Sequence, residues 1–186
     1  ENTSSPDEIT NALIREAVKL TEFSGGLEIA SFANVVSGTG LGSSGAFTVG
    51  LLHALYALRG ERPEPEFLAD RASHIFLDRL QSSEGKQDPY LAACGGYTAF
   101  ELDHNNRVTM LPVAIPDSVK KEFEARTLYF YTGVQRSSTS ILNDHQKKAA
   151  AGEHAVLQYR HRVKELGKEI KEAFETGDLN RFGELL

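Results

Sequence analysis

Residues 37–45 read Ser37-Gly38-Thr39-Gly40-Leu41-Gly42-Ser43-Ser44-Gly45. Glycines at 38, 40 and 42 allow tight turns and let the backbone approach an anion closely. Ser43 and Ser44 fall where an apolar helix is expected to begin. Unpaired amide groups and the positive end of the helix dipole therefore face the loop. The two hydroxyls add oxygen ligands for a phosphate or a magnesium ion. A polyphosphate needs that chemistry. The plainer reading of the same stretch is a glycine-rich turn before a helix.

Two other phosphate motifs compete here. Residues 40–45 match the spelling of the dinucleotide fingerprint G-x-G-x-x-G. That fold requires a second parallel strand ending in an acidic residue roughly 20 positions on. Glu61 and Glu64 stand near that distance, but they follow a helix and sit among prolines. A dinucleotide-binding oxidoreductase is accordingly the weaker alternative. A Walker A loop is absent, because no lysine follows the last glycine.

A second cluster is Gly85-Lys86-Gln87-Asp88-Pro89-Tyr90. It sets a cation and a carboxylate two residues apart at an expected helix start. Phosphoryl transfer to a hydroxyl needs charge neutralisation and a group to receive or orient the hydroxyl proton. Lys86 and Asp88 are the catalytic candidates. The plainer reading makes Asp88 a helix cap before Pro89. A third cluster, Arg136-Ser137-Ser138, offers a guanidinium fork and two hydroxyls for a phosphate. Its plainer reading is a capped helix start with a surface arginine.

The elements that must position these groups follow from periodicity. Ser5-Pro6-Asp7-Glu8 predicts a helix start, continued by Ile9, Leu13, Ala17 and Leu20. Alternation predicts a strand over 27–32. The glycine loop follows, then an apolar helix through Phe47, Leu51, Leu52, Leu55 and Leu58. A helix over 65–80 buries Leu68, Ala72, Ile75 and Phe76, and a short one spans 86–94. Strands are expected at 97–102 and 107–113, a helix at 116–126 and a buried strand at 127–132. Two further helices cover 136–151 and 153–176. The order is α+β rather than a regular βαβ series.

Composition bounds the rest. The 186 residues carry a net charge of −6, which argues against nucleic acid or an anionic membrane as the main partner. The single cysteine, Cys94, excludes a disulfide framework within the chain and fits a cytoplasmic setting. No apolar run reaches the ~18 residues of a membrane span.

Taken together in this order, the three clusters resemble the signature segments of the GHMP kinases. Residues 37–44 are similar to the family's phosphate-binding motif. Residues 85–90 with Gly95-Gly96, and residues 131–138, resemble segments of its sugar-phosphate branch. The resemblance implies a GHMP-kinase-like α+β fold. Residues 1–115 would belong to the N-terminal ATP-binding domain, of the ribosomal protein S5 domain 2-like kind, and 116–186 would begin the C-terminal domain. It implies ATP and Mg²⁺ as cofactors and a heptose phosphate-like sugar phosphate as acceptor. Gly38, Thr39, Gly40, Leu41, Gly42, Ser43 and Ser44 would hold the nucleotide, with Ser44 also on the metal. Asp88 would serve as base, Lys86 would stand beside it, and Arg136, Ser137 and Ser138 would contact the sugar phosphate.

The sequence also departs from the family pattern. A metal-binding glutamate is expected twelve residues before the aspartate, and Phe76 stands there. Pro89 replaces a glutamine, and Gly45 replaces a small serine or alanine. The family's two terminal motifs are absent, so the chain is expected to be the middle portion of a longer protein. A non-catalytic binding protein on a kinase scaffold is the alternative, and missing outer segments are compatible with a homo-oligomer.

Overall fold

Asn11 starts the first long helix, because its side-chain oxygen accepts from the amides of Leu13 and Ile14 at 3.0 and 3.1 Å. Helix α1 is Ala12–Leu20. The expected start at Ser5 makes a separate 3-10 turn, Pro6–Glu8, in which the Ser5 hydroxyl accepts from Asp7. Ile9 is extended after that turn and breaks the helix in two. The computed structural model of the chain describes residues 1–23, 25–34, 38–133 and 138–186, without the side chains of 138–141, 145 and 146. Among the described residues it holds eight α-helices and one two-stranded antiparallel sheet, an α+β composition.

The chain divides into two compact units, Glu1–Gly95 with Gly133–Leu142, and Gly96–Thr132 with Asn143–Leu186. In the first, α2 (Ser43–Leu58) is the central helix. It buries Gly45, Thr48, Val49, Leu51, Leu52, Leu55 and Tyr56, more than one stripe of its surface. Helix α3 (Pro65–His74) continues into a π-helical turn, Ile75–Arg79, and α4 (Gln87–Cys94) follows. Ala17 and Val18 of α1, Val49, Leu52 and Leu55 of α2, and Leu68, Ala72 and Ile75 form one core. The expected inward set Leu68, Ala72, Ile75 and Phe76 is buried as read. The Arg59 guanidinium at the end of α2 donates to the Thr21 carbonyl that ends α1.

Tyr90 ties α4 to α3. Its buried ring sends the hydroxyl to Asp70 Oδ1 at 2.6 Å. Burial, followed by that hydrogen bond to a carboxylate, pushes the phenol pKa up. Removing the hydroxyl while keeping the ring isolates this bond. Tyr90→Phe is expected to lose about 1 kcal/mol, read as a melting temperature lower by roughly 2–4 °C. An unchanged melting temperature would show that the bond contributes nothing net.

In the second unit β1 (Thr98–Leu102) pairs with β2 (Val108–Pro112), with Thr98 opposite Pro112 and Leu102 opposite Val108. The Asp103 carboxylate closes the turn by accepting from the amides of Asn105 and Arg107 at 2.8 and 2.9 Å. Helices α5 (Asp117–Arg126), α7 (His154–Thr176) and α8 (Leu179–Leu185) surround an aromatic cluster. Phe174 lies 5.0 Å from both Tyr97 and Phe123 and 5.3 Å from Phe182, ring centre to ring centre. Helix α6 is Ser138–Ala150.

Two expected strands are not realised. Residues 27–32 join no ladder among the described residues, and neither do residues 127–132. The second was expected to be buried. Instead Leu128, Tyr129, Phe130 and Tyr131 are between 61% and 82% exposed. Alternation and apolar runs specify a strand's faces, but a ladder also needs a neighbouring strand to pair with. No described helix is long and apolar enough to cross a membrane.

Candidate functional site

The glycine loop and the start of α2 form the floor of the candidate site. Gly38, Gly40 and Gly42 have φ of 78°, 78° and 68°, in the left-handed region that a side chain disfavours. Thr39 and Leu41 between them keep negative φ. Alternation of hand along a short loop turns successive amide groups toward one side and makes an anion-binding concavity. Gly42 is the N-cap of α2 and offers no side chain to the first-turn amides. Those amides are therefore left to an external acceptor. The Thr48 hydroxyl donates back to the Ser44 carbonyl at 2.9 Å and braces the first turn.

Asp88 lies against this floor. A methyl group built on Gly42 would meet the Asp88 carboxyl carbon at 3.2 Å and Oδ2 at 3.4 Å. One built on Gly45 would meet Asp88 Cβ at 2.8 Å, the Asp88 carbonyl carbon at 2.9 Å and the Pro89 nitrogen at 3.0 Å. The two glycines thus cradle the first turn of α4. The cap of α4 is Lys86, so Asp88 stands inside the first turn rather than at its cap. The plainer reading of Asp88 as an N-cap is corrected by that placement. Lys86 extends toward α3, where its ammonium lies 3.9 Å from Asp70 Oδ1.

Glu84 is the residue that sequence reasoning passed over as part of a loop. Its Oε2 lies 3.4 Å from the Ser44 hydroxyl, which donates to it. Burial pushes the Glu84 carboxyl above the ordinary range; the Ser44 bond opposes this, and the Asp88 charge adds to it. The signal that could have found it is faint: a carboxylate four residues before Asp88, with only Gly85 and the start of α4 between. Phe76 is 3% exposed and packs in the interior of its unit, so no oxygen ligand comes from that position. Nearby Asp78 pairs instead with His74 at 2.6 Å.

The chemistry of the donor set fits magnesium. Mg²⁺ is usually held by one or two carboxylates, substrate phosphates and waters rather than by a full protein cage. Ser44, Glu84 and Asp88 supply hard oxygen donors of that kind. Among the described residues no group of three or more histidine, cysteine, aspartate or glutamate side chains forms a stand-alone metal site. Arg136 and Ser137 lie outside the described residues. Ser138 opens α6, and its side chain is likewise outside the description.

The structure thus brings together the glycine loop, Ser44 and Asp88, adds Glu84, and directs Lys86 to Asp70. The dinucleotide alternative lacks its required element, because Glu64 caps α3 and neither Glu61 nor Glu64 ends a strand.

Known proteins agree with this arrangement at the level of fold. Residues 10–96 match the family described as GHMP kinases N terminal domain. The chain is 31% identical over 157 residues to D-glycero-alpha-D-manno-heptose 7-phosphate kinase of Campylobacter jejuni, covering 84% of this chain and 45% of that protein. It is 23% identical over 171 residues to L-fucokinase/L-fucose-1-P guanylyltransferase of Bacteroides fragilis, covering 90% of this chain and 18% of that protein. The crystal structure of a D-glycero-D-manno-heptose 1-phosphate kinase from Bacteriodes thetaiotaomicron superposes with a TM-score of 0.69 at 23% identity. That match covers 94% of this chain and 51% of the other. The chain therefore spans less than half the length of the curated relatives it matches.

Proposed function

Residues 10–96 belong to the GHMP kinase family as its N-terminal domain, and on that premise we propose that the protein transfers a phosphoryl group from ATP to a sugar phosphate. The observation that carries the reading is Asp88 set against a loop of left-handed glycines at a helix N-terminus. In this reading Gly38, Thr39, Gly40, Leu41, Gly42, Ser43 and Ser44 hold the nucleotide phosphates. Their amide groups gather the negative charge that grows on the transferring phosphoryl oxygens and on the departing ADP.

Asp88 orients the acceptor hydroxyl and takes its proton. As that oxygen bonds to the terminal phosphorus, the bond from phosphorus to the ADP oxygen breaks and ADP leaves with the electron pair. Magnesium, when bound at Ser44 and the adjacent carboxylates, neutralises charge on the phosphates. Lys86 stands beside Asp88 at the cap of α4 as the second catalytic candidate, its ammonium 3.9 Å from Asp70 Oδ1. Arg136, Ser137 and Ser138 are proposed to contact the phosphate of the acceptor, where a guanidinium fork binds two oxygens at once.

The names of two relatives, a heptose 7-phosphate kinase and a heptose 1-phosphate kinase, support a heptose phosphate as acceptor. We assign residues 1–115 to the nucleotide-binding domain and 116–186 to the beginning of a second one. A cytoplasmic setting accompanies the use of ATP. The buried Phe76 favours a second reading, in which the scaffold binds nucleotide or sugar phosphate without turnover.

Calorimetric titration with magnesium-ATP tests the shared part of both readings. Saturable binding that ADP competes away is expected. No heat at millimolar nucleotide would overturn the phosphate-loop reading. Release of ADP that depends on added heptose phosphate separates a kinase from a binding protein.

A further inference from the structure

We propose that Glu84 is a metal-binding residue of this site, holding with Ser44 the divalent cation that accompanies the nucleotide. The proposal rests on the nucleotide reading of the loop and goes beyond it by assigning a ligand. Three observations support the assignment. The first is distance: Glu84 Oε2 and Ser44 Oγ are 3.4 Å apart. Magnesium–oxygen bonds are about 2.0–2.1 Å. Two oxygens at this separation are close enough for one such ion to reach both, because the gap is shorter than two bonds. A hydrogen bond of 3.4 Å is by contrast long and weak.

The second observation is charge. Glu84 is half-buried with the Ser44 hydroxyl facing it, while Asp88 is exposed. A carboxylate taken half out of water is costly unless a cation or hydrogen-bond donors face it.

The third is placement. Ser44 lies in the first turn of α2, behind the left-handed glycines, and Asp88 presses on Gly42 from the same side of that turn. A cation held by Glu84 and Ser44 would therefore sit next to phosphates bound by the loop. The expected ligand position, Phe76, is filled by a buried ring, so this chain draws its carboxylate from the loop before α4 instead.

The competing role for Glu84 is only to anchor the Ser44 hydroxyl. Glutamine keeps an oxygen acceptor and removes the charge, so Glu84→Gln separates the two roles. The measurement is ADP affinity by calorimetry with EDTA and with Mn²⁺, together with electron paramagnetic resonance counting of bound Mn²⁺. In the unsubstituted chain Mn²⁺ is expected to tighten ADP binding, with one Mn²⁺ held per ADP. In Glu84→Gln metal-free ADP binding should persist, which also reports that the variant is folded. Its Mn²⁺ affinity should fall at least ~10-fold, the lower end of losses seen when groups supporting a metal are removed. Glu84→Asp should retain more Mn²⁺ affinity than Glu84→Gln, because it keeps the charge.

Equal Mn²⁺ affinity in the unsubstituted chain and Glu84→Gln would overturn the assignment and leave the nucleotide reading standing. Failure of the unsubstituted chain to bind ADP under any condition would overturn both.

Discussion

Asp88→Asn is expected to lower the rate of phosphoryl transfer by roughly 10²–10⁴-fold, the usual contribution of a positioned proton acceptor. Metal-free nucleotide affinity should stay the same or rise. The sign follows from position. The Asp88 carboxyl group lies against Gly42, where phosphates are proposed to bind. Its negative charge repels theirs, so removing it relieves repulsion while removing the proton acceptor. Loss in kcat without a matching rise in KM for ATP would mark an interaction made in the transition state. A variant that keeps its kcat within a few-fold would exclude Asp88 as the base. A variant that loses nucleotide binding outright would make Asp88 a structural support of the loop.

Gly45→Ala is expected to be the most damaging small substitution in the first unit. Its new methyl group would lie 2.8–3.0 Å from three atoms of residues 88 and 89, two of them backbone. A flexible side-chain tip could swing aside, but backbone atoms at the start of a helix cannot. Either α2 or α4 must shift, at a cost of about 1–3 kcal/mol for overpacking. That lowers the melting temperature by roughly 2–4 °C for each kcal/mol. The shift also moves Asp88 relative to the loop, so ADP binding should weaken with it. Gly50→Ala is the control on the same helix. Nothing lies within 4 Å of its added carbon, and replacing a helical glycine should gain roughly 0.5–1 kcal/mol. Equal melting temperatures for the two variants would refute the tight contact.

The parts of the site built from local backbone rules were legible in the sequence. Glycines at 38, 40 and 42 marked a loop whose backbone can approach an anion closely, and the apolar run behind them marked α2. The short helix over 86–94 was read from the sequence and is realised as Gln87–Cys94. Glu84 was not legible, because its meeting with Ser44 joins positions 40 residues apart. No periodicity marks a loop carboxylate that becomes useful only when two helix starts come together.

The N-terminal helix was misread for a local reason. Ser5-Pro6 is a good start signal, but Asn11 caps two amides at once and takes the helix start to Ala12. Residues 27–32 and 127–132 show a different gap. Their composition tells which faces are apolar, while ladder formation depends on partner strands that composition cannot supply.

The close seating of α4 on Gly42 and Gly45 has a consequence for how the site works. At Gly45 the contact is made by Asp88 Cβ and by two main-chain atoms, the Asp88 carbonyl carbon and the Pro89 nitrogen, so the framework carries the base of the Asp88 side chain to the loop. The carboxyl group has only its own short side chain left to orient when a triphosphate arrives. Proximity of this kind is established during folding, so an incoming substrate has less ordering left to impose before reaction.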